Sequence, residues 1–205
     1  MIRGTRRMAV PLLVSALACR EADPGRSVQR LSNPMGSTSA PATVRASSDT
    51  LATDSVRKSQ AGAISQRVAD TEIVVTYSRP VARGRALFGA LIPFGKVWNP
   101  GADQATKVSF SRDVVVAGQS LAAGAYSLWV IPGASEWTVI FNRAADVYHD
   151  PYPGEATDAL RLSVAPSRGS HEEVLSFAFP LVEGKRTTLR LAWGETQVDL
   201  GIAVP

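Results

Sequence analysis

Residues 77–103 carry the densest group of side chains with evident binding chemistry. Four of them are basic: Arg79, Arg83, Arg85 and Lys96. An arginine guanidinium donates paired hydrogen bonds that suit planar carboxylates and phosphates, so this grouping predicts a site for an anionic ligand. The alternative is that these cations pair with nearby acids and hold the loops of the domain together.

An aromatic residue and two polar residues follow in the same stretch. Trp98 stands next to Asn99 and shortly before Asp103, and an aromatic face with a few directional polar groups is typical of a sugar-binding site. The alternative is that Trp98 closes one end of the hydrophobic core. The predicted ligand-binding set comprises Arg79, Arg85, Lys96, Trp98, Asn99 and Asp103.

Residues suited to catalysis are few. The two histidines, His149 and His171, each precede an acid, but neither has the spacing of a zinc-binding motif, so we predict no metal and no cofactor. No Gly-x-Ser-x-Gly motif or phosphate-binding loop occurs. We therefore expect no catalytic residues and a non-catalytic binding function. The alternative is a cell-envelope hydrolase that cleaves a glycan or ester with Asp103, His149 or Glu136.

The N-terminus predicts export and lipidation. Three arginines precede an apolar run at residues 8–18, which is the pattern of a signal peptide and is too short to span a membrane. The run ends in Ala-Leu-Ala before Cys19, where a lipoprotein signal peptidase would cut and the cysteine would be acylated. An ordinary cut at the same place would leave a lone thiol in an oxidising compartment. Arg20 in the next position favours the outer membrane, with the domain facing the periplasm or the cell surface.

Removal of residues 1–18 changes the charge of the chain. The full sequence has 22 basic and 18 acidic residues. The leader contains three of the basic residues and no acids, which leaves 22 − 3 = 19 basic residues and a net charge of +1. Because nucleic-acid binding normally requires a basic face, we expect no nucleic-acid partner. The expected partner is a glycan, a small anion or an envelope protein.

Residues 19–66 are predicted to form a tether between the lipid anchor and a folded domain. Ser, Thr, Ala, Pro and Gly dominate this segment, and such a composition buries too little apolar surface to fold. We expect residues 20 to about 66 to be dispensable for folding, and the domain to comprise residues 67–205.

The domain is predicted to be all-β. Short runs with period-two alternation are separated by Gly, Pro, Asp and Asn, which is typical of an antiparallel two-sheet β-sandwich of jelly-roll or immunoglobulin-like type. Both faces of residues 125–131 carry apolar bulk, so we expect this strand to be central. The predicted strands lie at residues 72–77, 86–91, 106–111, 113–117, 125–131, 136–142, 159–165, 174–180, 187–193 and 197–203.

Several ordered motifs between residues 77 and 142 resemble a known family. They read YSRP, PFGKVW, GADQAT, LAAGAYSL and EWTVIFN, and in this order they resemble the bacterial domain-of-unknown-function family DUF 2911. The resemblance extends from about residue 72 to the C-terminus. It implies an exported, β-rich protein that is often a lipoprotein, from a family whose biochemical role is not established.

One motif departs from the family pattern. Where members commonly read Trp-Arg-Thr-Gly-Ala-Asn, this chain has WNPGAD at residues 98–103. If the arginine or the asparagine of that pattern carries a shared chemistry, this protein has altered it.

Overall fold

A computed structural model describes residues 59–205, so Cys19 and the predicted leader lie outside the described residues. The described part contains ten strands, β1 to β10, and one short 3-10 turn, Glu155–Thr157. In this part no helix is long and apolar enough to cross a membrane. The strands are β1 Gln60–Val68, β2 Thr71–Arg79, β3 Lys107–Phe110, β4 Val114–Val116, β5 Gln119–Leu121, β6 Gly124–Ile131, β7 Trp137–Asn142, β8 Asp158–Val164, β9 Ser167–Glu183 and β10 Arg186–Ala203.

The strands form two antiparallel sheets, which confirms the predicted all-β sandwich. The first sheet has the order β1-β2-β3-β6-β7-β8 and the second the order β5-β4-β10-β9. β6 lies between β3 and β7, so the prediction of a central strand is confirmed. Its residues alternate between two apolar environments: Leu128 and Val130 lie in the main core, whereas Trp129 lies in a second cluster on the opposite face of the sheet.

β10 is continuous in extended conformation from Arg186 to Ala203, but it reverses direction and its two halves lie side by side. A straight strand of this length would hold its ends about 60 Å apart, whereas the N–H of Val204 donates to the carbonyl of Lys185 at 2.8 Å. The backbone reverses at Gly194, whose φ is +60°. Across the two arms, Arg190 donates two hydrogen bonds of 2.7 and 2.6 Å to the carboxylate of Asp199. The strands predicted at residues 187–193 and 197–203 correspond to these two arms.

The second cluster lies on the outer face of the six-stranded sheet, beneath the loop that joins β7 to β8. Trp129 and Ile140 form its centre, and the Tyr152 ring contacts Trp129 edge-on with centroids 5.2 Å apart. The Tyr152 hydroxyl donates to Asp158 at 2.5 Å. Burial, together with this hydrogen bond to a carboxylate, raises the pKa of Tyr152 to about 12.

The strand predicted at residues 86–91 is wrong, because these residues form a hydrogen-bonded loop. The N–H of Gly89 donates to the carbonyl of Ile92, and the N–H of Ile92 donates to the carbonyl of Leu87, each at 2.8 Å. Gly89 has a φ of +83°, a left-handed conformation that an extended strand does not contain. The apolar composition of this run resembles a strand, but its glycine permits a tighter path.

The first strand begins inside the predicted tether. β1 pairs with β2 over its whole length, from Gln60 opposite Arg79 to Val68 opposite Thr71. Val68 is buried in the main core, and Ile64 packs against that core. The boundary predicted between residues 66 and 67 therefore falls within a strand. An edge strand can form with little apolar surface because its neighbour supplies the backbone hydrogen bonds, which is why composition alone did not reveal it.

Candidate functional site

Four aromatic rings pack together at the end of the sandwich where β6 meets β7. Phe88 is central: its ring centroid lies 4.6 Å from that of Trp137, 5.8 Å from Trp98 and 6.4 Å from Trp193, all in edge-on contacts. Trp98 and Trp193 stack at 5.8 Å with an angle of 17° between their planes. Trp137 and Trp193 are buried, whereas Phe88 and Trp98 are half-buried. The cluster thus forms a fixed apolar wall that reaches the surface.

Main-chain hydrogen bonds fix the loop that carries two of these rings. Trp98 and Val130 exchange two N–H to carbonyl bonds of 2.8 Å, and the N–H of Gly95 donates to the carbonyl of Pro132 at 2.8 Å. Residues 95–98 therefore continue the sheet alongside the end of β6. On the other side, the indole N–H of Trp137 donates to the carbonyl of Gly133 at 3.1 Å and closes the β6–β7 turn.

A cleft of about 300 Å³ opens in front of this wall. Phe88, Phe94 and Trp137 form its apolar side, and Arg168 and Glu195 lie on its polar rim. The remaining lining residues are Gly133, Ala134, Pro166, Ser167 and Thr196.

Phe94 and the ion pair on the rim are accessible from solvent. The Phe94 ring lies over Gly89, where a Cβ atom would come within 2.8 Å of it, and Phe94 remains 46% exposed. On the rim, Nη2 of Arg168 lies 2.7 Å from a carboxylate oxygen of Glu195. An accessible aromatic face therefore lies close to both hydrogen-bond donors and acceptors.

The family model described as "Protein of unknown function (DUF2911)" matches residues 59–202, from the first strand to the last. The chain belongs to the DUF2911 family. The predicted resemblance is thereby confirmed, and the match begins where β1 begins. Comparison with curated proteins and with solved structures gave no match.

Of the six residues predicted to bind a ligand in this DUF2911 domain, Trp98 belongs to the aromatic wall. Lys96 is exposed in the turn between Phe94 and Trp98. Arg79 ends β2 and packs against Gly62, and its Nε atom is buried without a hydrogen-bond partner.

Arg85 and Asn99 make hydrogen bonds to the main chain. The guanidinium of Arg85 donates to the carbonyls of Val81 and Ala82, both at 2.7 Å, and so holds its own loop. Asn99 is buried: its Nδ2 donates to the carbonyl of Leu128 at 2.7 Å, and its Oδ1 accepts the N–H of Thr106 at 3.1 Å. Both side chains therefore stabilise the loop segments that lead to and from the aromatic wall.

Asp103 lies in a different hollow from the aromatic cleft. This second cavity has a volume of about 440 Å³, and its lining includes Gly62, Tyr77, Ser78 and Asp103. It is larger than the cleft, but its lining contains neither an exposed aromatic wall nor an ion pair. Among residues 59–205, no ion pair joins Asp103 to an arginine.

His149 contacts Asp103 through the main chain. The backbone N–H of His149 donates to the Asp103 carbonyl at 2.9 Å, and its ring Nδ1 lies 2.8 Å from the same oxygen. The Asp103 carboxylate instead accepts the Tyr148 hydroxyl at 3.5 Å. His171 contacts Glu173 at 3.1 Å on β9. In the part of the chain that the structure describes, no group of three or more metal-ligating side chains converges.

Sequence reasoning missed most residues of the cleft. Phe88 and Phe94 lie within residues 77–103, but the predicted ligand-binding set from this stretch contains four charged residues and only one aromatic residue, Trp98. Arg168 and Glu195 are far apart in sequence and meet only because β9 extends past the turn of β10. Trp137 lies in the main core and also lines the cleft.

Proposed function

We propose that this protein is an exported lipoprotein, acylated at Cys19 and held at the outer membrane, whose domain binds a glycan without cleaving it. The binding site would be the cleft bounded by Phe88, Phe94 and Trp137. A sugar ring offers an apolar C–H face and a rim of hydroxyl groups, so it suits an aromatic wall with polar groups at its edge.

The observation that carries this proposal is the exposure of Phe94 next to the Arg168–Glu195 pair. Exposure of the Phe94 ring, which is 46% accessible, is unfavourable in water. Burial of apolar surface stabilises a complex by about 25 cal/mol for each Å². A sugar stacked on this ring would recover part of that energy. Its hydroxyl groups would find a donor in Arg168 and an acceptor in Glu195.

The cleft has too few carboxylates for hydrolysis of a glycan, which favours binding without cleavage. Most glycosidases use two carboxyl groups about 5 to 9.5 Å apart, whereas Glu195 is the one acidic residue among those that line the cleft, and Arg168 already neutralises it. The alternative hydrolase would use Asp103, His149 or Glu136. The contact between His149 and Asp103 runs through a carbonyl oxygen, which differs from the carboxylate–imidazole pair of a Ser-His-Asp triad.

Titration calorimetry with soluble envelope glycans tests the binding site. We expect the Phe94→Ala variant to bind at least about tenfold more weakly, a loss of about 1.4 kcal/mol. Tyr148→Ala is the matched control, because Tyr148 is equally accessible, at 50%, but does not line the cleft. Equal affinities of both variants, or release of cleavage products from the glycan, would contradict the proposal.

The lipid anchor is tested separately. Mass spectrometry of the N-terminal peptide from the membrane fraction should give Cys19 as the first residue with acyl chains attached. A mature chain that begins elsewhere, or a free Cys19 thiol, would refute this part of the proposal and leave the binding site untouched.

A further inference from the structure

The loop at residues 89–97 exposes an unusual amount of apolar surface. Leu91 is 41% exposed, Phe94 46% and Val97 37%. They make up half of the six large hydrophobic residues that are exposed in the part of the chain described by the structure. Single exposed leucines are ordinary on protein surfaces, but a contiguous group of this kind usually marks a contact surface.

This apolar loop is held in a defined conformation. Its main chain makes hydrogen bonds within the loop, as from Leu91 to the carbonyl of Ala86 at 3.2 Å, and to the β6–β7 turn, as from Gly95 to Pro132. The buried side chain of Ile92 anchors the loop in the core. The exposed apolar residues are therefore presented on a fixed frame, and little conformational entropy would be lost when a partner covers them.

The apolar loop itself carries a cation and no acid. Residues 86–98 contain no acid and one cation, the exposed Lys96. A protein segment with exposed apolar residues and an adjacent cation suits the interface of a membrane, where the apolar groups enter the acyl boundary and the cation meets anionic headgroups.

The chain enters the domain at the same end as this loop. Gln60, the first residue of β1, pairs with Arg79, the last residue of β2, and the loop segment follows directly. Forty residues, 20–59, separate Cys19 from Gln60. At no more than about 3.5 Å per residue they span up to about 140 Å, so a lipid anchored at Cys19 leaves this end of the domain within reach of the bilayer.

We infer that the loop of residues 89–97 docks on the surface of the membrane to which the protein is anchored. This inference rests on the proposed acylation of Cys19. Leu91 and Val97 provide the contact without lining the glycan cleft, and Lys96 faces the anionic headgroups. The cleft then opens next to the membrane, where glycans carried on lipids are found.

The test compares two labelled variants of the full-length protein on lipid vesicles. Leu91→Cys places a polarity-sensitive fluorophore in the loop. Val182→Cys places it at the opposite end of the sandwich, next to the β9–β10 turn, on a residue of similar exposure (44%). Both proteins carry the same Cys19, so any label on that residue cancels in the comparison, and peptide mapping reports its acylation.

We expect the emission of the probe at position 91 to shift to shorter wavelength on vesicles that contain phosphatidylglycerol, and the probe at position 182 to remain unshifted. Lys96→Glu should reduce the shift at position 91. Equal behaviour at both positions would overturn the inference. A shift at position 91 that requires envelope proteins and does not occur with lipid alone would also overturn it and identify a protein partner instead. Loss of glycan binding in Phe94→Ala tests the cleft independently of these results.

Discussion

The buried side chain of Asn99 satisfies main-chain groups from two parts of the fold, the carbonyl of Leu128 on β6 and the N–H of Thr106 ahead of β3. Asn99→Ala would leave both groups buried without a partner, and each such group costs about 1–3 kcal/mol. We expect the variant to lose at least about 2 kcal/mol of unfolding free energy, measured by urea denaturation.

Lys96→Ala is the control for Asn99→Ala, because it removes an exposed side chain from the same stretch. A surface change of this kind should alter the unfolding free energy by no more than about 0.5 kcal/mol. If Asn99→Ala is as stable as Lys96→Ala, the asparagine does not hold the loop. Its role in ligand binding then becomes the stronger explanation for its presence.

We expect Glu173 to make the stability of the fold depend on pH. Its carboxylate contacts Nε2 of His171 at 3.1 Å and accepts the N–H of Arg83 at 2.6 Å, and these interactions lower its pKa below the ordinary 4.5. A carboxylate with a lowered pKa stabilises the folded state above its unfolded pKa, and this contribution is lost as the pH falls through the folded pKa. The stability advantage of the wild type over Glu173→Gln should therefore shrink below about pH 4.5.

Urea denaturation of the wild type and Glu173→Gln across that range measures this effect. His171→Gln should give an intermediate dependence, because it removes the first of the two interactions and keeps the second. Curves for wild type and Glu173→Gln that stay parallel down to acid pH would show that the Glu173 contacts contribute nothing.

At the scale of elements, β1 is an integral part of the sandwich. It pairs with β2 along nine residues and contributes Val68 to the core. A chain that begins at Val68 should therefore unfold at a temperature lower by well over the 2–4 °C that about 1 kcal/mol is worth in a domain of about 150 residues. Differential scanning calorimetry measures the unfolding temperatures of the two chains.

A chain that begins at Ser59 is the control for the truncation at Val68, because it keeps the whole of β1. It should melt at the temperature of the longer protein. If the chain that begins at Val68 also melts at this temperature, the edge strand is dispensable and the original expectation of a tether up to residue 66 holds.

Strands with strong apolar alternation could be predicted from sequence, and weaker ones could not. Residues 106–111 are such a case, because Val108 and Phe110 alternate with polar residues and the structure buries both. Residues 125–131 are predictable for another reason, since apolar bulk on both faces indicates a central strand. β1 was not predicted because most of its side chains are small or polar, and its pairing with β2 cannot be read from its composition. The loop at residues 86–91 was mistaken for a strand because a glycine with positive φ is not visible in a hydropathy pattern.

The stretch of sequence that contributes to the candidate site could be predicted, but most of the residues that line the cleft could not. Trp98 and the stretch around it were identified because aromatic and polar residues cluster there. Phe94 and Glu195 line the same cleft only because β10 reverses direction at Gly194. The pairing of strands that are distant in sequence cannot be read from the local spacing of residues. Asn99 was assigned to the ligand because burial cannot be read from residue type.

At the scale of the whole molecule, the second arm of β10 completes the four-stranded sheet. Ile202 pairs with Val116, and Ala203 with Val115, so β4 and β5 join the sheet through the last residues of the chain. Removal of residues 199–205 should abolish the folded state, detected as the loss of dispersed signals in the proton NMR spectrum. Removal of Pro205 alone is the control and should leave the spectrum folded. A folded spectrum from the longer truncation would contradict this role.

This late closure determines when the chain can fold. Val116 and Ile202 are 86 residues apart, and contacts of such long sequence separation form slowly because a large loop must close before they do. A chain that emerges from the ribosome in N-to-C order can pair β1 with β2 early, but β4 cannot pair with β10 until residues 202 and 203 have emerged. Closure of the four-stranded sheet is therefore a late step in folding, because it depends on strands that are distant in sequence.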